Sequence, residues 1–339
     1  MSSLYNVIQP FQAIVVDRAG DNGNGDVEPR IRTLEAADLP EGELLVRVSY
    51  SSVNYKDALA CSANGNIVKT YPFVPGIDLA GVVEQSESPR FKPGDEVIVT
   101  GYGLGVSHFG GWSEYARIPA DWAVPLPEGL SAKEAMMLGT AGLTAALSVV
   151  ALEESGVLPN SGRVLVTGAS GGVGSAAVAM LARLGYETVA STGKPDEAER
   201  LRELGARHIL TREELVPAET KPLDKQLWAG AVDCVGGRTL SSILPRIRYS
   251  GAVAASGLTG GTALSATVLP FILRGVRLIG IDSVFIPMAR RTDIWRQLAG
   301  RLKPDKPDAL FREIPLGRVP EIVQPMLNGE SRGRIVVKL

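Results

Sequence analysis

The sequence predicts an α/β domain with a parallel sheet, inserted into a mostly β, barrel-like domain whose chain resumes after the insertion. Three observations carry this. From about Phe11 to Asp121 the chain reads as short strands punctuated by glycine and proline, with apolar residues alternating at Leu44, Val46, Val48 and Tyr50. From Arg163 strands alternate with helical stretches, which demands right-handed crossovers and a parallel sheet covered on both faces. The last strand, Arg334–Lys338, has no partner following it in that alternation and is expected to return to the first domain. The resulting spans are 1–134 with 300–339 for the β domain and 135–299 for the inserted one.

In the β domain the clearest strands are Gln12–Asp17, Glu43–Val53, Leu79–Glu84, Glu96–Thr100 and Trp112–Ile118. The segment Asp21–Glu28, with Gly23, Asn24 and Gly25, reads as a surface connection without chemistry. Pro-Glu-Gly-Leu-Ser131 opens a helix in which Ser131 caps and Glu134 completes a capping box, ahead of an apolar run through Leu152. The inserted domain supplies strands at Val164–Thr167, Thr188–Ser191, His208–Leu210, Ala231–Val235, Ala252–Ala255 and Arg277–Ile281. A helix near Val319–Leu327 precedes the final strand.

Composition narrows the function. The chain has 339 residues, 45% hydrophobic and 21% charged, enough for two packed cores. A net charge of −2 leaves no basic surplus for nucleic acid or an anionic membrane surface, so neither is expected as a partner. Cys61 and Cys234 are too few and too far apart for a disulfide framework, and the N-terminus shows no basic-then-apolar targeting pattern, so a cytoplasmic protein is expected. Three runs without charge, Ala135–Leu152, Val164–Ala182 and Tyr249–Leu273, approach the length of a membrane span. Gly, Ser, Thr or Pro breaks each of them, and buried α/β segments are the expected outcome.

The chemistry starts at Val164-Leu-Val-Thr-Gly-Ala-Ser-Gly-Gly-Val-Gly174, where an apolar strand breaks into glycines and then a helical stretch. In this pattern Gly168 and Gly171 allow a tight turn, Gly172 lets backbone approach a pyrophosphate, and Gly174 lets helix pack on strand. The helix start, with Ser170, Gly171, Gly172 and Val173, offers unpaired N–H groups to phosphate. Roughly 20 residues on, where an NAD enzyme carries an acid for the ribose hydroxyl, the sequence has Ser191, Thr192, Gly193 and Lys194. Two hydroxyls, a glycine and a cation suit an additional phosphate, so NADPH is the expected cofactor. The same glycines fit the short-chain dehydrogenase fingerprint, but none of the eight tyrosines has a lysine four residues on.

With the lead-in Leu138-Gly-Thr-Ala-Gly-Leu-Thr-Ala145, this arrangement resembles the medium-chain dehydrogenase/reductase superfamily over essentially the whole chain. Its fold would then be a Rossmann nucleotide-binding domain inserted in a GroES-like domain. Ser52-Val-Asn-Tyr-Lys-Asp57, Pro75-Gly-Ile-Asp-Leu-Ala-Gly81, Trp228-Ala-Gly-Ala-Val-Asp233 and Pro270-Phe-Ile-Leu-Arg274 resemble its acrylyl-CoA reductase and quinone oxidoreductase branch. Zinc-dependent members place a cysteine where Asn54 stands and Gly-His-Glu where Gly76, Ile77 and Asp78 stand. With two histidines, two cysteines and no ligand spacing, no metal site is expected.

Without a metal to polarise an alcohol or ketone, conjugated acceptors are favoured, because hydride addition moves charge onto a remote oxygen that hydrogen-bond donors can stabilise. The expected substrate is an acryloyl-CoA-type enoyl thioester, with a quinone second and an NADPH-binding protein of little turnover as the remaining alternative. The resemblance puts Ser52–Asp57 beside the nicotinamide, making Tyr55 and Asn54 the candidate catalytic residues, Tyr55 also touching cofactor and Asn54 orienting. It further implies cofactor contacts at Arg212, Leu258, Ile272, Ser283 and Asn328. Asp57 and Asp78 read as structural, holding Lys56 or closing a turn. His108 reads as a loop contact and His208 as structural, while Arg246, Arg248, Arg290 and Arg291 read as solvated surface cations, with contact to a CoA phosphate as their alternative role. Arg277–Ile281 would be an edge strand, so a homodimer is expected.

Overall fold

The structure is a computed structural model that describes residues 8–18, 27–219 and 221–339. Most of the connection Asp21–Glu28 lies outside these residues. The chain divides into two compact units, Met1–Thr140 with Val284–Asp293 and Phe311–Leu339, and Ala141–Ser283 with Ile294–Leu310.

The first unit opens with a hairpin of β1 (Phe11–Arg18) and β2 (Val27–Leu34). There follow β3 (Leu44–Val53), α1 (Tyr55–Ala60), β4 (Asp78–Ser86), β5 (Glu96–Thr100), β6 (Tyr115–Ile118) and β7 (Ala123–Pro125). Helix α2 (Ala132–Glu154) starts at the predicted capping box, with the Glu134 N–H donating to Ser131 Oγ at 3.2 Å and the Ser131 N–H to Glu134 at 2.9 Å.

The second unit carries β8 (Val164–Val166), α3 (Gly172–Arg183), β9 (Thr188–Thr192), α4 (Ala198–Glu203), β10 (His208–Thr211) and α5 (Arg212–Leu215). Then come β11 (Trp228–Asp233), α6 (Gly237–Ile243), β12 (Ile247–Ala255), α7 (Leu269–Arg274), β13 (Arg277–Gly280) and α8 (Met288–Ala299). The chain ends with β14 (Phe311–Pro315), α9 (Pro320–Leu327) and β15 (Arg334–Lys338).

Among the described residues, the first unit's larger sheet runs β14-β15-β3-β4-β5-β7, with β6 also on β3. All pairs are antiparallel except β14 with β15. The final strand returns as expected, placing Ile335 opposite Val53. The alternation in β3 follows from burial: Leu44, Val46 and Val48 pack on Leu79, Val97 and Val99. A second cluster joins Ile14, Val53, Trp112, Val323 and Ile335. The sequence reading missed β2, β7, β14 and α1. β2 is largely exposed and holds Pro29 and two arginines, and α1 is too short to show a helical period.

The second unit is a parallel sheet in the order β10-β9-β8-β11-β12-β13, covered by helices. The strand order reverses between β8 and β11, the position at which open α/β sheets form a ligand crevice. Leu165, Val189, Ala231, Ile243 and Val253 form the core on one side, and β13 is an edge strand.

The unit boundaries differ from the predicted ones. The break falls at Thr140 rather than at 134, because Gly139 interrupts α2 (φ 52°, ψ −155°) and its neighbours are tied to the first unit. Asp78 accepts from the Thr140 N–H, and Arg334 from β15 donates to the Met136 and Met137 carbonyls. Residues 284–293 also belong to the first unit, where buried Arg291 donates to the Thr100 carbonyl at 2.7 Å. Residues 300–310 belong to the second, pinned by ion pairs from Arg301 to Glu153 and from Arg183 to Asp305.

Helix α2 is long and apolar enough to cross a membrane, but 94% of its apolar window is buried and Gly139 breaks it. The charge-free run Tyr249–Leu273 is a correction. Its continuous buried part is Gly251–Ala254 in β12; Tyr249 before it is exposed, Leu258, Leu264 and Val268 are exposed in the glycine-rich stretch that forms no regular element, and Ile272 and Leu273 are exposed on α7, where Pro270 is buried.

A Cβ at Gly139 would overlap the Asp78 carboxylate and approach Arg334 Nη2 to 2.6 Å, and the backbone there is one that L side chains avoid. Gly139→Ala should therefore lower unfolding free energy by about 2–4 kcal/mol, measured by urea denaturation.

Candidate active site

In the second unit, β8 ends in a turn whose geometry separates the roles of its glycines. Gly168 adopts φ +58°. Gly174 has no room for a side chain, since a Cβ would overlap the Gly168 carbonyl and lie 2.7 Å from Ala169 Cα. Gly171 differs from expectation: it is the N-cap of α3 with extended backbone (φ −82°, ψ 177°), so it does not form the turn through conformational freedom. Its constraint is space, because a Cβ would come within 3.3 Å of the Gly168 carbonyl. The first N–H groups of α3, from Gly172 and Val173, have no carbonyl one turn behind them and suit a phosphate.

The end of β9 lies beside this turn. The Ser191 carbonyl accepts the Ala169 N–H at 3.0 Å, and the Thr192 hydroxyl donates to Ser170 Oγ at 3.0 Å while accepting the Lys194 N–H. Ser191 and Thr192 are buried, so the polar tip offers Gly193 and Lys194 rather than two free hydroxyls. Arg212, exposed at the start of α5, completes the tip: its Nη2 lies 2.8 Å from where a Gly193 Cβ would stand. Thus Ser170, Thr192, Gly193, Lys194 and Arg212 come together, and any side chain at position 193 would displace the guanidinium.

The sequence reading missed two supports. Arg200 of α4 donates to the Ser170 carbonyl at 3.1 Å and to Ala309, with Glu197 as its buried counter-charge. Nothing in a charge-rich helix signals that role. Buried Asp233, at the end of β11, accepts from Thr167 Oγ1 at 2.6 Å and the Gly236 N–H at 2.8 Å, holding a second glycine turn. There Gly236 and Gly237 face Gly257, Gly260 and Gly261 with no space for Cβ atoms. The glycine pair after a strand was the available signal for it. Burial raises the Asp233 carboxyl above its usual range.

Leu258 and Ile272 are exposed, Ser283 is buried and accepts from Thr144 Oγ1 at 2.8 Å, and exposed Asn328 caps α9 and accepts from Gln324.

In the first unit, Asn54 and Tyr55 begin α1. Asn54 is the N-cap and Tyr55 is 43% exposed. The Asn54 amide is held at both ends: its oxygen accepts from Arg334 Nη1 at 2.8 Å and its nitrogen donates to Asp78 at 2.9 Å. Asp78 also accepts from Ser52 Oγ at 2.6 Å and from Thr140. Asp57 accepts the Asn54 N–H and the Ile77 N–H, each at 2.8 Å. Both aspartates are thus structural as expected, but neither holds Lys56. Burial lowers the Arg334 guanidinium's affinity for its proton, and Asp78 and Asp57 oppose that.

Arg291 is a correction, since it is not a surface cation. It is fully buried, bonded to Thr100 and the Val284 carbonyl, and lies over the Tyr102 ring. Arg246 pairs with Asp224, and Arg248 donates to the Ser161 carbonyl. His108 bonds the Arg117 carbonyl at 2.7 Å against Trp122, a loop contact, and burial lowers its pKa. His208 pairs with Glu187 at the surface.

Two family profiles match: an alcohol dehydrogenase GroES-like domain over residues 40–128 and a zinc-binding dehydrogenase over residues 172–299. Acrylyl-CoA reductase AcuI of Ruegeria pomeroyi is 50% identical, covering 96% of this chain and 98% of its own. The chain belongs to the medium-chain dehydrogenase/reductase superfamily. Within it, YhfP of Bacillus subtilis, named as a quinone oxidoreductase, is 52% identical over 97% of this chain and 99% of its own. Its structure with NAD bound matches with a TM-score of 0.95, covering 98% of this chain and 100% of that one at 51% identity. The yhdH oxidoreductase of Salmonella enterica, in complex with NADP, matches with a TM-score of 0.92 at 48% identity, covering 97% and 99%.

The zinc in the second profile's name does not fit this site. The Asn54 oxygen already faces a guanidinium, and Asp78 is saturated with donors, so a cation would meet the charge of Arg334 and compete with four hydrogen bonds. Among the described residues no three His, Cys, Asp or Glu side chains converge.

Burial, and then the neighbouring Asp78, push the Asp57 carboxyl up to about 7. Below its ordinary pKa both folded and unfolded chains carry the proton; above it the unfolded chain loses it first. The Asp57 contribution to stability should therefore fall as pH rises from about 4 to 7 and be flat above. Urea unfolding of the wild type and Asp57→Asn at pH 5, 6, 7 and 8 checks this: the wild-type advantage should shrink up to pH 7.

Proposed function

We propose that this protein reduces an activated carbon–carbon double bond with NADPH and without a metal, acting on an acryloyl-CoA-type enoyl thioester. The observation that carries the cofactor is the tip at Ser191–Lys194, where Arg212 lies over Gly193 and the four residues include no acid for a ribose hydroxyl. The names of the half-identical relatives support the substrate class, AcuI for the thioester and YhfP for a quinone as the second reading.

When bound, NADPH supplies the hydride. Gly172 and Val173 would hold its pyrophosphate by their N–H groups, and Lys194 and Arg212 would take the 2′-phosphate with charge-assisted hydrogen bonds. Arg200 and Asp233 keep the two glycine turns in place. Leu258, Ile272, Ser283 and Asn328 are further proposed cofactor contacts. Tyr55 is the proposed catalytic residue: its exposed phenol donates a hydrogen bond to the oxygen that gains charge as hydride adds to the β-carbon. Asn54, with both ends of its amide engaged, orients Tyr55 rather than touching the substrate.

The protein is proposed to be a cytoplasmic homodimer that binds neither nucleic acid nor membrane. Support comes from the free thiols Cys61 and Cys234 and from the edge strand β13, which a twin copy would cover.

Arg212→Ala should weaken NADPH binding by about 10- to 100-fold and leave NADH binding within twofold, measured by fluorescence titration. An equal loss for both cofactors would remove Arg212 from phosphate recognition. Tyr55→Phe should lower kcat with acryloyl-CoA by about 10- to 100-fold and spare the NADPH dissociation constant. Unchanged turnover would exclude Tyr55 as donor.

A further inference from the structure

We propose that Arg334 is a positioning residue for the reaction, fixing the Asn54 amide and through it the first turn of α1 that presents Tyr55. The proposal rests on the reading of Tyr55 given above for its kinetic consequence, but the grip itself stands on geometry alone.

Arg334 is 3% exposed, so water cannot substitute for its partners. It opens β15, where the register sets Ile335 opposite Val53 and brings the guanidinium to the cap of α1. The planar fork divides its donors. Nε donates to the Met137 carbonyl at 3.0 Å and Nη1 to Asn54 Oδ1 at 2.8 Å, while Nη2 stands 3.6 Å from Asp78. On the other side of the same amide, Asn54 Nδ2 donates to Asp78 at 2.9 Å.

Cation on the oxygen and carboxylate on the nitrogen leave the amide one orientation, because a flip would turn its NH2 toward the guanidinium and its oxygen toward the carboxylate. The same residue's backbone N–H is held by Asp57, which also anchors Ile77. The residue before Tyr55 is therefore fixed at side chain and main chain together, and only the first of these depends on Arg334. Lysine would keep the charge, but a single ammonium lacks the fork that serves the Met137 carbonyl and Asn54 at once.

The test compares the wild type with Arg334→Lys, Asn54→Ala and the double variant. In 15N-labelled full-length protein, the Asn54 side-chain NH2 should exchange slowly with solvent in the wild type and at least about 100-fold faster in Arg334→Lys. With acryloyl-CoA, Arg334→Lys should lower kcat by about 10- to 100-fold while KM and the NADPH dissociation constant stay within threefold, and the double variant should be no slower than Asn54→Ala. Unchanged exchange, or losses that add in the double variant, would overturn the proposal. If the wild type does not turn over acryloyl-CoA, the substrate reading fails, and the exchange rates still decide the grip. If Arg334→Lys does not fold, Asn54→Ala decides the positioning claim, and full kcat in that variant contradicts it.

Discussion

The nucleotide cradle depends on one steric constraint, the contact of Gly174 with the Gly168–Ala169 turn. A methyl group at 174 would collide with main chain, which cannot move without tearing β8 from its neighbours. Because it is missing, α3 begins directly behind the strand end and directs its first N–H groups at the reversal point of the sheet. The remaining parts converge on that turn. Thr192 bonds the Ser170 hydroxyl, Arg200 bonds the Ser170 carbonyl, and Asp233 bonds the Thr167 hydroxyl.

The first unit solves a different problem, the burial of a guanidinium with two carboxylates. Charges removed from water destabilise a fold unless each is paired and hydrogen-bonded, and here the side chains of Ser52, Asn54 and Thr140 and five backbone groups, the N–H groups of Asn54, Ile77 and Thr140 and the carbonyls of Met136 and Met137, complete the set. Such a cluster adds little net stability compared with an apolar core. What it confers is orientation: α1, the broken helix α2 and the last strand meet with their polar groups in one arrangement. The same saturation leaves no ligand for a metal at the positions where zinc-dependent members of the superfamily hold theirs.

Much of this was legible in the sequence. The alternation of Leu44, Val46 and Val48 marked the central strand, the Ser131–Glu134 box marked a helix start, and the final strand, left without a partner in the α/β order, marked the return. The glycine run marked the cradle, although Gly171 acts there through lack of space and not through its backbone freedom. What was hidden depends on long-range contact. Arg334 lies 280 positions from Asn54, and an arginine at the first position of a strand, two residues after Arg332, carries no local sign of burial. Arg291 looked like a surface cation beside Arg290 for the same reason, and its place over Tyr102 comes from tertiary packing. The unit boundary was shifted because the apolar run continues unbroken by charge through Gly139, where only the backbone dihedral reveals the break.

The central claim is that a 2′-phosphorylated dinucleotide delivers hydride here without a metal. Its most direct test is the steady-state reduction of acryloyl-CoA by protein dialysed exhaustively against a chelator, with NADPH and NADH compared under the same conditions. The account predicts undiminished turnover after chelation and kcat/KM at least about tenfold higher for NADPH, the worth of one charge-assisted hydrogen bond. Equal or higher kcat/KM with NADH, or activity lost on chelation and restored by zinc, would contradict it.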